Sequence, residues 1–178
     1  MSQTEQVLAF VKEKGPIIPS QVSGVVGTNI LFASAMLSEL VSSGQVKISG
    51  VKIGGSPLYY VEGQEERLQE FTKHLGAKQQ AAVMKLKQGG VFRDKELEPV
   101  VRVSLRETKD FARPIEVTVD GEKELFWRWY LLGKDETENK VRQILEITPA
   151  EKPVKEKQEE VQETPVKEKM EKVKPQKI

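Results

Sequence analysis

Apolar positions in the first sixty residues follow a helical spacing and then switch to a period of two. Val7, Leu8, Phe10 and Val11 form one stripe that stops before Gly15 and Pro16, with Thr4 as the predicted N-cap. Pro19 and Ser20 open a short second helix bearing Val22, Val25 and Val26, and Gly27 stops it. A third and longer helix starts from Thr28 or Asn29 and ends with Gly44 at the C′ position. On a helical wheel Ile30, Ala33, Leu37, Leu40 and Val41 share the side expected to face a core, which leaves Leu31, Phe32, Ala35, Glu39 and Ser42 opposite. Val46 and Ile48 then alternate with Lys47 and Ser49, and Leu58, Tyr59, Tyr60 and Val61 return. Gly50, Gly54, Gly55 and Pro57 lie between, as in a β-hairpin whose tip carries Lys52.

The pattern continues more loosely from Gln64. Leu68, Phe71 and Leu75 mark one helix, and Ala82, Val83 and Leu86 another. Val91 and Phe92 follow a Gly89–Gly90 turn as an apolar insert, and Pro99 suits the first turn of a helix running to about Asp110. Ile115, Val117 and Val119 then alternate with polar residues. After Gly121, Leu125, Trp127, Trp129 and Leu131 alternate in turn, which predicts a second hairpin. Val141, Ile144 and Leu145 suit a closing helix over 135–147.

The order of the first stretch, helix, proline-led short helix, glycine turn, longer helix and hairpin, resembles the winged helix-turn-helix superfamily common in prokaryotic and especially archaeal regulators. Leu37, Ser38, Glu39, Leu40, Val41 and Gly44 resemble that family's end-of-recognition-helix pattern. The resemblance covers about a third of the chain. It implies nucleic-acid or protein binding without catalysis, most often binding of duplex DNA. Helices followed by a hairpin recur in the second stretch, so the expected organisation is α+β. It comprises a winged-helix domain at 1–63, a divergent winged-helix-like domain at 64–147 and a tail at 148–178. From Glu151 onward the chain has fifteen charged residues and no aromatics, and the run Pro153 to Lys157 nearly repeats as Pro165 to Lys169. Such a segment cannot bury enough apolar surface to offset its ordering entropy, and disorder is expected there.

Charge narrows the candidate partners. The 28 basic and 27 acidic residues nearly cancel, so no global field draws the chain to nucleic acid. Residues 64–113, however, carry eleven basic and eight acidic side chains against four of each in 1–63. Arg102, Arg106 and Lys109 recur at helical spacing with Arg93, Lys95 and Arg113 flanking them, a candidate phosphate-binding face that Arg128 would extend. The competing reading pairs Glu98, Arg102, Arg106 and Asp110 among themselves at four-residue steps, each pair worth only about 0.2–0.5 kcal/mol. On the third helix Asn29 suits adenine and Lys47 and Lys52 of the hairpin suit phosphates, but the outer face has no lysine or arginine. Leu31, Phe32 and Ala35 fit internal packing, a self-dimer or a partner protein better than a DNA groove. Phe126, Trp127, Trp129 and Tyr130 suggest base stacking on one face of their strand and core packing on the other.

Catalysis finds little support in the residues. The chain lacks cysteine and has one histidine, His74, which reads as an ordinary helix-end residue. There is no phosphate-loop motif, no nucleophile elbow and no metal-ligand spacing. The expectation is a non-enzymatic protein without metal or cofactor that binds duplex DNA in transcription regulation or chromosome organisation, with a protein-interaction adaptor as the alternative. No apolar run approaches the roughly 18 residues that span a bilayer, which predicts a cytoplasmic chain with no membrane contact, nucleoid-associated if it binds DNA.

Overall fold

A computed structural model describes residues 1–147 as an α+β chain with two small antiparallel sheets. The tail expected at 148–178 lies outside the described residues. The helices are α1 (Gln3–Lys14), α2 (Pro19–Val26), α3 (Ile30–Ser42), α4 (Ala77–Gly89), α5 (Pro99–Glu107) and α6 (Lys134–Ile147). The strands are β1 (Lys47–Ile53), β2 (Ser56–Tyr60), β3 (Val91–Arg93), β4 (Ala112–Val119) and β5 (Glu122–Trp129). The stretch Glu65–His74, expected to hold an α-helix, is a 3₁₀ helix.

These elements form two compact units, and the units are not sequential. The first comprises Met1–Lys85 and Glu98–Arg113; the second comprises Leu86–Leu97 and the described residues from Pro114 onward. The boundary expected between residues 63 and 64 therefore falls inside the first unit, and Gln64 is the reason. Its buried side chain donates to the carbonyls of Val11 (2.8 Å) and Lys12 (3.0 Å) and accepts from the Val61 amide (3.0 Å). It thus gives the Lys12 carbonyl, which faces Pro16 and no amide at the end of α1, a donor, and adds a second donor to the Val11 carbonyl that the Gly15 amide already meets at 2.8 Å. Arg67 adds a bond to the Gly15 carbonyl at 2.9 Å. The Glu98–Arg113 stretch is held to the same unit by Asp110, whose Oδ2 accepts from Ser49 Oγ (2.9 Å) and the Gly50 amide (2.7 Å).

Within the first unit α1 is capped by Ser2 rather than Thr4. Ser2 Oγ accepts from the Glu5 amide at 3.1 Å while the Glu5 carboxylate accepts from the Ser2 amide at 3.0 Å. This reciprocal pair holds two donors that Thr4, already inside the helix, is not placed to serve. Gly27 ends α2 at φ +77°, and Gly44 lies beyond α3 at φ +81°, both in the left-handed region that favours glycine. The hairpin β1–β2 pairs Lys47 with Tyr60 and Ile53 with Ser56, and Ile17 extends it by exchanging two backbone bonds with Tyr59. Val7, Val11, Ile17, Val22, Ala33, Leu37, Leu40, Val46 and Tyr59 form the core beneath it. Each fully buried aliphatic side chain of this set is worth about 1.5–3 kcal/mol.

The second unit holds a three-stranded sheet in the order β3-β5-β4. Val91 and Phe92, expected as an insert, are a strand: Val91 pairs with Arg128 and Arg93 with Phe126. Helix α6 packs over β3, and Val91, Phe126 and Val141 centre a core to which Ile115, Val117, Val119 and Leu145 add.

Candidate interaction surface

The third helix divides its residues much as its wheel predicts. Ala33 and Leu37 are fully buried and Leu40 nearly so, while Leu31 is 75% and Phe32 59% exposed. Ala35 is exposed with them. Within the first unit, then, this face does not pack into the core. Ile30, assigned to the core side, is 54% exposed instead, because it opens α3 one turn before the core residues begin at Ala33. Val25 at the end of α2 is also 59% exposed.

A groove of about 520 Å³ is lined by Gln3, Thr4, Thr28, Phe32, Ala35, Met36 and Glu39. Phe32 forms one wall and Met36 is half-buried within it. Glu39 is the one charged side chain of the lining. An exposed apolar face next to a hollow is a geometry that a partner side chain can fill. It offers a phosphate no positive charge. Asn29, assigned to adenine, is committed elsewhere: its Oδ1 accepts from the Phe32 amide at 2.9 Å and caps α3.

The basic residues differ in burial and in surroundings. Arg93 is buried, which removes it from the expected phosphate face. Its Nε meets Glu124 Oε1 at 2.6 Å and its Nη2 meets Oε2 at 2.8 Å, with Glu96 at 3.4 Å and the Phe126 ring centroid 5.9 Å from its guanidinium carbon. Burial alone would raise the Glu124 carboxyl, but the hydrogen bonds and charge of Arg93, joined by Lys95 at 3.2 Å, outweigh it and hold the carboxyl below its ordinary value. Arg128, expected to extend that face, is half-buried, with Nη1 directed at the carbonyls of Trp129, Tyr130 and Leu132 at 3.1–3.4 Å. Lys47 meets Glu65 at 3.4 Å, and Arg102 is half-buried. Lys52, Arg106, Lys109 and Arg113 are exposed, and all belong to the first unit. That unit carries twelve basic and ten acidic residues, whereas the described part of the second carries eight and ten. The phosphate face expected in the second domain thus has its remaining cations in the first unit.

The aromatic strand leaves no face for bases. Phe126 is fully buried, Trp127 is 3%, Trp129 7% and Tyr130 9% exposed, so both sides of β5 are covered. Trp127 Nε1 donates to the buried Asp94 Oδ1 at 2.8 Å, a bond that sequence reasoning missed because 33 residues separate the partners. Among the described residues no group of three or more histidine, aspartate or glutamate side chains is placed to hold a metal ion. Nor is any single helix among them long and apolar enough to cross a membrane. No family model matches the chain, and a search of curated proteins finds no match either.

Proposed function

We propose that this protein is a non-catalytic binding protein of winged-helix type whose third helix docks a partner protein instead of reading DNA. The observation that carries this reading is the exposed apolar face of Leu31, Phe32 and Ala35, of which Phe32 and Ala35 line a groove, a face free of lysine and arginine. Exposed apolar surface of this kind marks interaction sites. A DNA-reading helix draws much of its affinity from phosphate contacts, which this face is not equipped to make. The helix order α1-α2-α3 followed by the β1–β2 hairpin supports the winged-helix assignment.

A second reading rests on a separate observation. Arg106, Lys109 and Arg113 are exposed on one short stretch of the first unit and suit backbone phosphates of duplex DNA, with Lys52 on the hairpin as a further contact. In this reading the protein is nucleoid-associated and α3 serves a different partner. One titration separates the two. Duplex binding is followed by fluorescence anisotropy at about 50 and 200 mM salt for the native chain, for Phe32→Asp and for Arg106→Ala with Lys109→Ala. Docking of protein by α3 predicts that Phe32→Asp leaves any duplex affinity unchanged. Loss of duplex binding in Phe32→Asp, with the fold intact, refutes it. The second reading requires the double alanine variant to weaken binding and flatten the salt dependence.

A further inference from the structure

Among the described residues the sheet order β3-β5-β4 leaves β4 at an end, paired with β5 along one edge only. β4 is eight residues long, whereas β3 at the opposite end has three. A long unpaired edge presents a row of backbone donors and acceptors, a template for another strand. The face of β4 that should be covered is also incomplete. α6 packs over β3, and Ile115, Val117 and Val119 remain half-buried. A trough of about 640 Å³ runs along Ile115 and Val117, bounded by Arg128 and Leu132 and by Val141 and Leu145 of α6.

We propose that this edge is occupied by β4 of a second copy of the chain, joining two three-stranded sheets into one of six strands. Pairing about a two-fold axis is necessarily antiparallel, and the sequence of β4 suits a single register. Centred on Val117, the pairing sets Ile115 against Val119 of the second copy on the trough side and Glu116 against Thr118 on the outer side. Moving the centre to residue 116 opposes Glu116 to its own copy, and moving it to residue 118 opposes Glu116 to Asp120. Both shifts place like charges directly opposite, which is unfavourable. The Val117 register brings the two apolar stripes side by side, so that each half-covered stripe gains the other as its neighbour. Pro114, which has no amide hydrogen, then lies at the margin of the new ladder, where a missing donor costs least.

Thr118 and Glu116 are exposed, so charge can be exchanged there without entering a core. Glu116 meets Lys123 at 3.6 Å on that outer face, and a surface pair of this kind is worth little to the fold. The test is sedimentation equilibrium of the full chain over a concentration series. The native protein is expected to show a monomer–dimer equilibrium. Thr118→Glu sets two Glu–Glu oppositions across the axis and should weaken the dimer about fivefold, whereas Thr118→Lys should tighten it by a similar factor. Combining Glu116→Lys with Thr118→Glu sets two opposite-charge pairs across the same register, as Thr118→Lys does, and should tighten the dimer by a similar factor instead of weakening it. A chain that stays monomeric throughout the series overturns the proposal, as does a dimer indifferent to Thr118→Glu. A dimer abolished by Phe32→Asp overturns it too, since self-association would then run through α3.

Discussion

Replacing Glu124 by glutamine should destabilise the second unit by about 2–3 kcal/mol. Arg93 is 8% exposed and Glu124 16%, so the two charges are largely withdrawn from water and depend on each other. Removing one partner of a buried pair costs about 3–5 kcal/mol, because the charge left behind is uncompensated. Two features reduce that figure here. Glutamine keeps one carbonyl that can accept from the guanidinium, a bond worth about 1 kcal/mol net. Glu96 also remains 3.4 Å from Arg93 as a residual countercharge. The assay is urea unfolding followed by tryptophan fluorescence. The chain's two tryptophans, Trp127 and Trp129, both lie buried in β5, the strand that carries Glu124, so the signal reports on this unit. With an m-value of about 2 kcal/mol/M the midpoint should fall by about 1 M with an unchanged slope. Lys95, 61% exposed on the other side of the carboxylate, should cost under about 0.5 kcal/mol when changed to alanine. A fall of less than about 0.25 M for Glu124→Gln would refute the reasoning. So would an equal loss for Lys95→Ala.

Two further outcomes follow from the polar groups that close each unit. Gln64→Ala strips the Lys12 carbonyl and the Val61 amide of their side-chain partner, leaving the Val11 carbonyl its bond from Gly15, and should cost about 2–3 kcal/mol, read as a fall of several degrees in thermal midpoint; an unchanged midpoint contradicts the clamp. Acid sensitivity should track two carboxylates. Glu124 sits below its ordinary value for the reasons given above. Burial would raise Glu65 as well, but the backbone amides of Glu65 and Gly63 together with Lys47 hold it down. A depressed folded value means that each contributes stability above the unfolded value of about 4.3, lost as pH falls through the folded value. Unfolding free energy should therefore decline from about pH 5 downward, and the Glu124→Gln variant should show a shallower decline. An identical pH slope in the variant would rule out Glu124 as a contributor.

Local signals in the sequence were sufficient for most elements. Gly27 and Gly44 mark the ends of α2 and α3 where positive φ is needed, and the alternation at Ile115–Val119 places a strand because one face is half-buried. The outward direction of Leu31, Phe32 and Ala35 was legible from helical periodicity alone, since the core on the other side of α3 is continuous from Ala33 to Leu40. What escaped were the contacts made at long sequence separation. Arg93 reads as one more cation of a basic stretch until Glu124, 31 residues on, is seen to hold it. Asp110 reads as the last step of a helical charge ladder, yet it bonds Ser49 and Gly50 sixty residues away and ties Glu98–Arg113 to the first unit. β3 is three residues long, too short for a periodic signal, and is a strand only because β5 pairs with it. The division into 1–63 and 64–147 follows the chain, whereas the compact units follow these distant bonds.

The docking role of α3 is tested most directly by a photoreactive benzoylphenylalanine in place of Phe32, irradiated in cells producing the full chain. Adducts are then digested separately with nuclease and with protease. Protein docking predicts a discrete adduct that resists nuclease, is destroyed by protease and disappears when Leu31 is also changed to aspartate. An adduct that nuclease removes, or none at all from this exposed position, would contradict it.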